Sequence, residues 1–155
     1  MEHKVRIISP EELMPQLPRL LEETENVPLV ISGNSMAPFL RHGRDVVYLS
    51  KVTRPLKKGD MILYRRLNGS YILHRVCRCG PHGYDLAGDA QLHVEAGIRP
   101  EQVLAVVNAV RRKGKLLEKG NFQWEFYERV WLALLPLRPM IFRIYGAMKG
   151  WRNKK

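Results

Sequence analysis

Residues 60–79 read Asp60-Met-Ile-Leu-Tyr-Arg-Arg-Leu-Asn-Gly-Ser-Tyr-Ile-Leu-His-Arg-Val-Cys-Arg-Cys79, and this stretch sets the fold class. Two apolar runs rich in β-forming residues flank Asn68-Gly69, and both of these residues accept the positive φ angles of a type I′ turn. The pattern therefore predicts an antiparallel hairpin with strands at Asp60–Arg66 and Tyr71–Cys79.

Similar short apolar runs lie on both sides of this hairpin, separated by glycine and proline turn signals. They predict further strands at Pro28–Ser32, Asp45–Leu49, Tyr84–Ala87 and Val103–Arg111. Several short strands at this spacing are typical of a compact, mostly β, antiparallel domain, which we assign to residues 28–115. A chain of 155 residues is long enough to bury a core as one such domain.

A helical segment is predicted before the β domain, over residues 1–27. Ser9-Pro10-Glu11-Glu12 is a helix-start signature, with serine as the N-cap and proline at the first helical position. Pro15 and Pro18 interrupt the apolar spacing that follows, because proline lacks an N–H group and clashes with the preceding turn. We therefore expect one or two short helices that pack on the core.

A second helical region is predicted at residues 121–155, with apolar stripes that are broken at Pro136 and Pro139. No acidic residue follows Glu128, so this region is basic as well as amphipathic. Two interpretations remain open. The helices either cover the β core, or they dock on an anionic membrane surface through residues 136–155.

The charge of the chain limits its partners. The formal net charge is +11, which favours nucleic acid, anionic lipid or acidic peptides. The basic residues are spread along the chain without an aromatic–basic box, so we expect no nucleic acid partner.

No long apolar stretch opens the chain, so the sequence predicts no N-terminal transmembrane anchor. We therefore expect a cytoplasmic or peripherally membrane-associated protein.

A serine follows the first predicted strand in Ile31-Ser-Gly-Asn-Ser-Met-Ala-Pro-Phe-Leu40. Ser35 stands on a turn, where its hydroxyl can point outward while neighbouring backbone N–H groups converge. That is the geometry of a nucleophile with an oxyanion hole. Gly33-x-Ser35-x-Ala37 lacks the final glycine of the α/β-hydrolase nucleophile elbow, which disfavours that class.

His74 is the candidate base, because it lies inside a predicted strand. With period-2 alternation it shares a face with Ile72 and Val76, and an imidazole titrates near neutral pH. A histidine on an apolar face is also compatible with a purely structural role, and this alternative stays open.

Asp89 is the candidate acid that would orient the imidazole, since it follows Gly88 at the end of a strand. The alternative role for Asp89 is a turn aspartate that bonds its own backbone. Asp85 also stays open as the orienting acid, whereas Asp45 and Asp60 are better explained as turn residues.

Taken in order, these segments resemble the boxes of signal peptidase I and the related SOS-repressor autoproteases. Ser32-Gly-Asn-Ser35-Met36-Ala-Pro38-Phe-Leu40 is similar to the nucleophile box Ser-Gly-x-Ser-Met-x-Pro-x-Leu, and Lys57-Lys-Gly-Asp60-Met-Ile-Leu-Tyr64 resembles the family's Gly-Asp-Val-Val strand. Leu73-His74-Arg75-Val76 resembles the His-Arg-Val version of the endoplasmic-reticulum, archaeal and spore-former branch. Ala87-Gly88-Asp89-Ala90-Gln91 resembles the Gly-Asp-x-Asn box of that branch.

The resemblance implies a signal-peptidase-like β fold and a serine endopeptidase that cleaves a leader or signal segment of a polypeptide, without a cofactor or a metal. It implies Ser35 as the nucleophile, His74 as the general base and Asp89 as the orienting acid. The sequence departs from the family pattern in two ways: it predicts no N-terminal transmembrane helix before the serine box, and it carries Gln91 where the branch has asparagine.

The resemblance also implies the surroundings of the serine. The backbone N–H of Ser35, helped by Asn34 or Gly33, would form the oxyanion hole, while Met36 and Pro38 would shape the substrate groove. The alternative function is a non-catalytic module on the same β fold that docks a peptide or a membrane.

Overall fold

The structure is a computed structural model that describes residues 9–152. It begins with two short helices, α1 (Pro10–Leu13) and α2 (Leu17–Glu23). Ser9 caps α1 by accepting a hydrogen bond from the N–H of Glu12 at 3.3 Å, as predicted. The short N-terminal helices are therefore confirmed, while residues 1–8 of the predicted segment lie outside the described part. The helices bury Leu13, Met14, Leu17 and Leu21 in the core.

The body of the molecule is one antiparallel sheet with the strand order β1-β2-β7-β3-β4-β5-β6, in which β8 pairs with β7. The predicted mostly-β, antiparallel fold is confirmed, and β6 and β8 were not predicted. The strands are β1 (Val27–Val30), β2 (Val46–Ser50), β3 (Met61–Arg65), β4 (Tyr71–Gly80), β5 (Gly83–Ala87), β6 (Glu95–Ile98), β7 (Val103–Arg112) and β8 (Lys115–Glu118).

The turn between β3 and β4 differs from the predicted type I′ turn. Gly69 has a φ of +90°, but Asn68 does not have a positive φ. The N–H of Arg66 donates to the C=O of Ser70 at 2.8 Å, and the N–H of Gly69 donates to the C=O of Arg66 at 2.9 Å. The hairpin is therefore closed by a three-residue loop that ends on a left-handed glycine, and the predicted turn type is wrong.

This loop length decides which side chains share a face of the hairpin. Ile62 lies opposite His74, so Tyr64 is a diagonal neighbour of His74 on the same face. A two-residue loop would have shifted the pairing by one residue and placed Leu63 opposite His74 instead.

Two apolar clusters pack on the two faces of the central strands. Leu63 and Leu73 belong to the cluster that contains Met36, Phe39 and the N-terminal helices. The second cluster takes the alternate side chains of the same strands and comprises Leu56, Ile62, Tyr64, Val76, Leu86, Ile98 and Val106, with Val52, Ile72, Tyr84 and Val103 packed against it. Because both faces of β3 are covered, its side chains from Met61 to Tyr64 are all buried.

The first part of the C-terminal region covers the β core, as one of the two interpretations predicted, whereas the last helix is largely exposed. Helix α3 (Phe122–Glu125) continues as a π-helical segment, Phe126–Trp131, and Trp124 and Leu132 are buried against the core. Helix α4 (Arg138–Arg152) begins at a buried arginine and then leaves most of its length exposed. Of the described residues, no single helix is long and apolar enough to cross a membrane.

Candidate active site

Ser35 lies in the loop that joins β1 to β2. Gly33 turns the chain with a φ of +84°, a left-handed angle that favours glycine. Ser35 lines a pocket of about 80 Å³ together with apolar side chains of this loop and of the start of β4. The lining residues are Ile31, Ser32, Gly33, Ser35, Met36, Tyr71, Ile72 and Leu73. A larger open cavity of about 470 Å³, beside the end of α2, contains none of the predicted site residues.

The Gly-Asp segment after β5 supports the Ser35 loop from behind. The N–H of Ala90 donates to the C=O of Ser35 at 2.8 Å. A Cβ atom at position 88 would clash with that same carbonyl oxygen, so only glycine allows this close approach. The predicted serine box and Gly-Asp box are therefore in direct backbone contact.

The backbone donors around Ser35 divide into used and unused groups. The N–H of Gly33 donates to Nδ1 of His42 at 2.9 Å, which removes Gly33 from the predicted oxyanion hole. Among the described residues, the N–H groups of Asn34 and Ser35 have no hydrogen-bond partner. These two groups are available to stabilise a developing oxyanion. Of the two predicted groove residues, Met36 lines the pocket, whereas Pro38 does not.

His74 lies on β4 and is 2% exposed. Its Nδ1 lies 3.2 Å from Oη of Tyr64, and Tyr64 donates its hydroxyl proton to Oε2 of Glu95 at 2.6 Å. A phenol has only one proton, so Tyr64 must accept from His74, and Nδ1 must carry the imidazole proton. The bonds of Tyr64 thus select the tautomer in which Nε2 has the free lone pair.

Glu95 is the acid of this chain of hydrogen bonds. Arg66 holds its carboxylate through Nε at 3.0 Å and Nη2 at 2.7 Å. These bonds from Arg66 keep the pKa of Glu95 below its usual range, against the effect of partial burial. Burial and the bond to Glu95 raise the pKa of Tyr64, so the phenol stays protonated. Glu95 therefore acts on His74 through Tyr64.

Asp89 occupies a different place from the one predicted. Its two carboxylate oxygens accept hydrogen bonds from Nε of Arg75 at 3.0 Å and from Nη2 of Arg75 at 2.9 Å. Side chains alternate along a strand, so Arg75 points away from the face of His74. Asp85 pairs with Arg78 at 3.0 Å. The assignment of Asp89, or of Asp85, as the direct partner of the imidazole is therefore corrected.

The Asp89 segment is also held by the C-terminal region. Trp131 Nε1 donates to the C=O of Asp89 at 2.9 Å, and the guanidinium of Arg138 donates to the C=O of Gly88 at 3.0 Å and of Gln91 at 3.2 Å. Arg138 is fully buried and lies over the ring of Trp131, 5.1 Å from its centroid. These contacts give the segment behind Ser35 a rigid support.

The residues just before His74 on β4 line the pocket beside Ser35, whereas His74 does not, and no hydrogen bond joins the side chains of Ser35 and His74 in the described structure. Catalytic hydrogen bonds in unliganded sites are often long and tighten only when substrate binds. Asp45 and Asp60 serve their turns, as expected, by accepting hydrogen bonds from the backbone N–H groups of Arg41 and Lys57. Within residues 9–152, no group of His, Cys, Asp and Glu side chains is arranged to hold a metal ion.

No family model, curated protein or solved structure matches this chain. The fold and the site geometry are therefore the basis of the functional assignment.

Tyr64 and Glu95 were missed by the sequence analysis. Tyr64 could have been found from the hairpin register, had the turn been read as a three-residue loop. Glu95 carries no local signal, because it reaches Tyr64 from another part of the chain.

The ionisation of His74 gives a prediction that does not depend on catalysis. Burial lowers the pKa of His74 to about 4, while the negative charge of Glu95 opposes the shift. Removing that charge in Glu95→Gln should lower the pKa of His74 further. An NMR titration of the imidazole checks both results, and a midpoint near the ordinary value of about 6.5 would contradict the first.

The same shift makes stability depend on pH. Between the unfolded value of about 6.5 and the folded value of about 4, the unfolded chain binds the extra proton at His74. The contribution of this group to stability is therefore complete above pH 6.5 and falls as the pH is lowered through this window.

Proposed function

We propose that this chain is a serine endopeptidase of the signal-peptidase type, which cleaves a leader or signal segment from a polypeptide. The observation that carries the proposal is the placement of Ser35. Its carbonyl is held by Ala90, while its own N–H and that of Asn34 have no partner among residues 9–152 and lie beside a small apolar pocket. A nucleophile, two oxyanion donors and a place for a small side chain thus occur together.

The proposed reaction is an acyl transfer in two stages. Nε2 of His74 removes the proton of Ser35 Oγ as that oxygen attacks the scissile carbonyl, and His74 then gives the proton to the leaving amine. Water hydrolyses the acyl-enzyme by the reverse sequence of proton transfers. Tyr64 and Glu95 hold the imidazole in the required tautomer and stabilise its protonated form, the role that the resemblance implied for Asp89.

The neutral state of His74 fits this role. Because burial lowers the pKa of His74 to about 4, the imidazole is unprotonated at neutral pH, and the opposing charge of Glu95 would stabilise the proton that it accepts from Ser35. The pocket beside Ser35, about 80 Å³ in volume, supports substrates with small side chains next to the scissile bond.

The test is cleavage of a panel of leader peptides that carry small residues before the cut. The wild type should produce a defined cleavage, followed by mass spectrometry, and Ser35→Ala and His74→Ala should abolish it. Ser70→Ala, which changes a serine in the β3–β4 hairpin loop, is the matched control and should cleave like the wild type. Cleavage by Ser35→Ala at the wild-type rate would overturn the proposal.

A non-catalytic docking module is the second candidate. It is favoured by one observation, that no hydrogen bond joins Ser35 to His74 in the described structure. The basic C-terminal region supports a membrane surface as the place of either activity. Binding of leader peptides without cleavage would favour this candidate.

A further inference from the structure

Helix α4 presents an apolar stripe that nothing in the described structure covers. Met140, Ile144 and Met148 follow one another at four-residue spacing and therefore lie on one side of the helix. Their exposed fractions are 55%, 53% and 65%, and Tyr145 beside them is 68% exposed. Contiguous apolar side chains at this level of exposure are typical of an interaction surface.

Basic residues border this stripe on both sides. With 3.6 residues per turn, Arg143 falls on one edge, and Lys149 and Arg152 fall on the other. No acidic residue lies in α4 or anywhere after Glu128. The outer face of α4 is therefore an apolar stripe within a purely cationic frame.

The stripe is held outward by the way the helix is anchored. At its start, the buried Arg138 donates to the carbonyls of Gly88 and Gln91. On its inner side, the ring of Phe142 lies 6.1 Å from that of Trp131. These contacts use the inner face of α4, so the outer stripe is left for a partner.

We propose that the outer face of α4 binds the surface of an anionic lipid bilayer, with the helix lying in the plane of the membrane. Apolar side chains would enter the boundary between headgroups and acyl chains, while the flanking arginines and lysine contact anionic headgroups. Tyr145 suits this boundary, because aromatic side chains with a polar end favour the membrane interface. This binding does not depend on the peptidase activity.

The dimensions of the helix favour lying on the membrane over crossing it. The 15 residues of α4 are about 22 Å long, shorter than the ~30 Å hydrocarbon core. The bent pair formed by Phe122–Trp131 and Leu135–Arg152 has the length and composition of a span, with a bend of 71°. Its first half is anchored in the protein core through the buried Trp124.

Charge argues against a second copy of the chain as the partner. In a two-fold symmetric contact through this stripe, the same surface would meet itself. Arg143, Lys149 and Arg152 would then face only positive charges, because α4 offers no carboxylate. An anionic bilayer supplies both the apolar layer and the complementary charge.

Vesicle flotation tests the proposal with the full chain. The wild type should bind phosphatidylcholine vesicles that contain phosphatidylglycerol, bind pure phosphatidylcholine weakly, and lose affinity as salt is raised. Arg143→Gln and Lys149→Gln should each lower the partition coefficient about fivefold. The double variant Ile144→Asp with Met148→Asp should lower it at least about tenfold.

The matched control is Leu67→Asp with Leu116→Asp, which places the same charges at exposed apolar positions of the sheet loops and of β8. It should bind vesicles with a salt sensitivity close to that of the wild type and within about threefold of its affinity. Circular dichroism checks that each variant is folded. Three results would overturn the proposal: no binding by the wild type, equal loss in the control, or a dimer in sedimentation velocity that Ile144→Asp with Met148→Asp abolishes.

Discussion

Replacing Asp89 with alanine is expected to lower the free energy of unfolding by about 3–5 kcal/mol. The side chains of Arg75 and Asp89 are each only 1% exposed, and the guanidinium donates two hydrogen bonds to the carboxylate. Removing the carboxylate leaves a buried cation without a counter-charge, which is one of the few single changes with so large a cost. Urea unfolding of both proteins at neutral pH measures the difference.

Asp85→Ala is the matched control, because the arginine paired with Asp85, Arg78, is 78% exposed, so that no buried cation is left when the carboxylate is removed; the N–H of Gly97, which also donates to Asp85, is exposed. Exposed pairs of this kind contribute about 1 kcal/mol or less. Adding Arg75→Met to Asp89→Ala should restore part of the lost stability, since it removes the uncompensated charge. Equal costs for Asp89→Ala and Asp85→Ala would contradict the structural role that we assign to the buried pair.

Replacing His74 with alanine is expected to lower kcat/KM by at least about 10³-fold, because the Ser35 hydroxyl then has no base. The change should act on kcat, since His74 does not line the pocket beside Ser35. His82→Ala is the control, as His82 lies in the exposed turn between β4 and β5. Steady-state cleavage of the best leader peptide gives both constants.

Two further variants test whether Glu95, and not Asp89, is the acid that acts on His74. Tyr64→Phe breaks the connection between His74 and Glu95, and Glu95→Gln removes the charge at its end. Both should lower kcat while the proteins stay folded, with a smaller loss than His74→Ala. If both cleave at the wild-type rate, Glu95 has no part in orienting the imidazole.

The sequence predicted the strands well because most of them show their apolar runs between clear turn signals. It predicted Ser35 and His74 as site residues because each stands in a local pattern. Ser35 lies in a turn after a strand, and His74 is a polar residue within a strand. The register of the hairpin was harder to predict from the sequence. Asn-Gly fits both a two-residue loop and the end of a three-residue loop, and only the latter puts Tyr64 beside His74.

The acid that we propose to orient His74 could not be found from the sequence for a different reason. Tyr64 and Glu95 are 31 residues apart, and β4 and β5 separate their strands in the sheet, so their hydrogen bond depends on tertiary packing and not on strand pairing. Asp89 looked suitable because it follows a glycine at a strand end. The partner of the Asp89 carboxylate depends on the face of β4 on which Arg75 lies. Tertiary packing determines that face, and the local sequence pattern does not show it.

The C-terminal region shows the same limit. The pattern of apolar residues is alike on both sides of Pro136, so it predicted helices throughout. Only the packing distinguishes them: Leu132 is buried on the core, while the outer face of α4 is exposed. A buried Arg138 between them was not foreseen, because arginine is rarely found in a fully buried position.

Acylation of Ser35 is the most direct test of the central claim, that this serine is the nucleophile of a peptidase site. Reaction with p-nitrophenyl acetate should release a burst of p-nitrophenolate, and peptide mapping by mass spectrometry should locate one acetyl group on Ser35. The burst should be absent in Ser35→Ala and much slower in His74→Ala. Two results would contradict the assignment of the site. One is folded wild-type protein that carries no acetyl group on Ser35, and the other is acetylation of both variants to the same extent as the wild type.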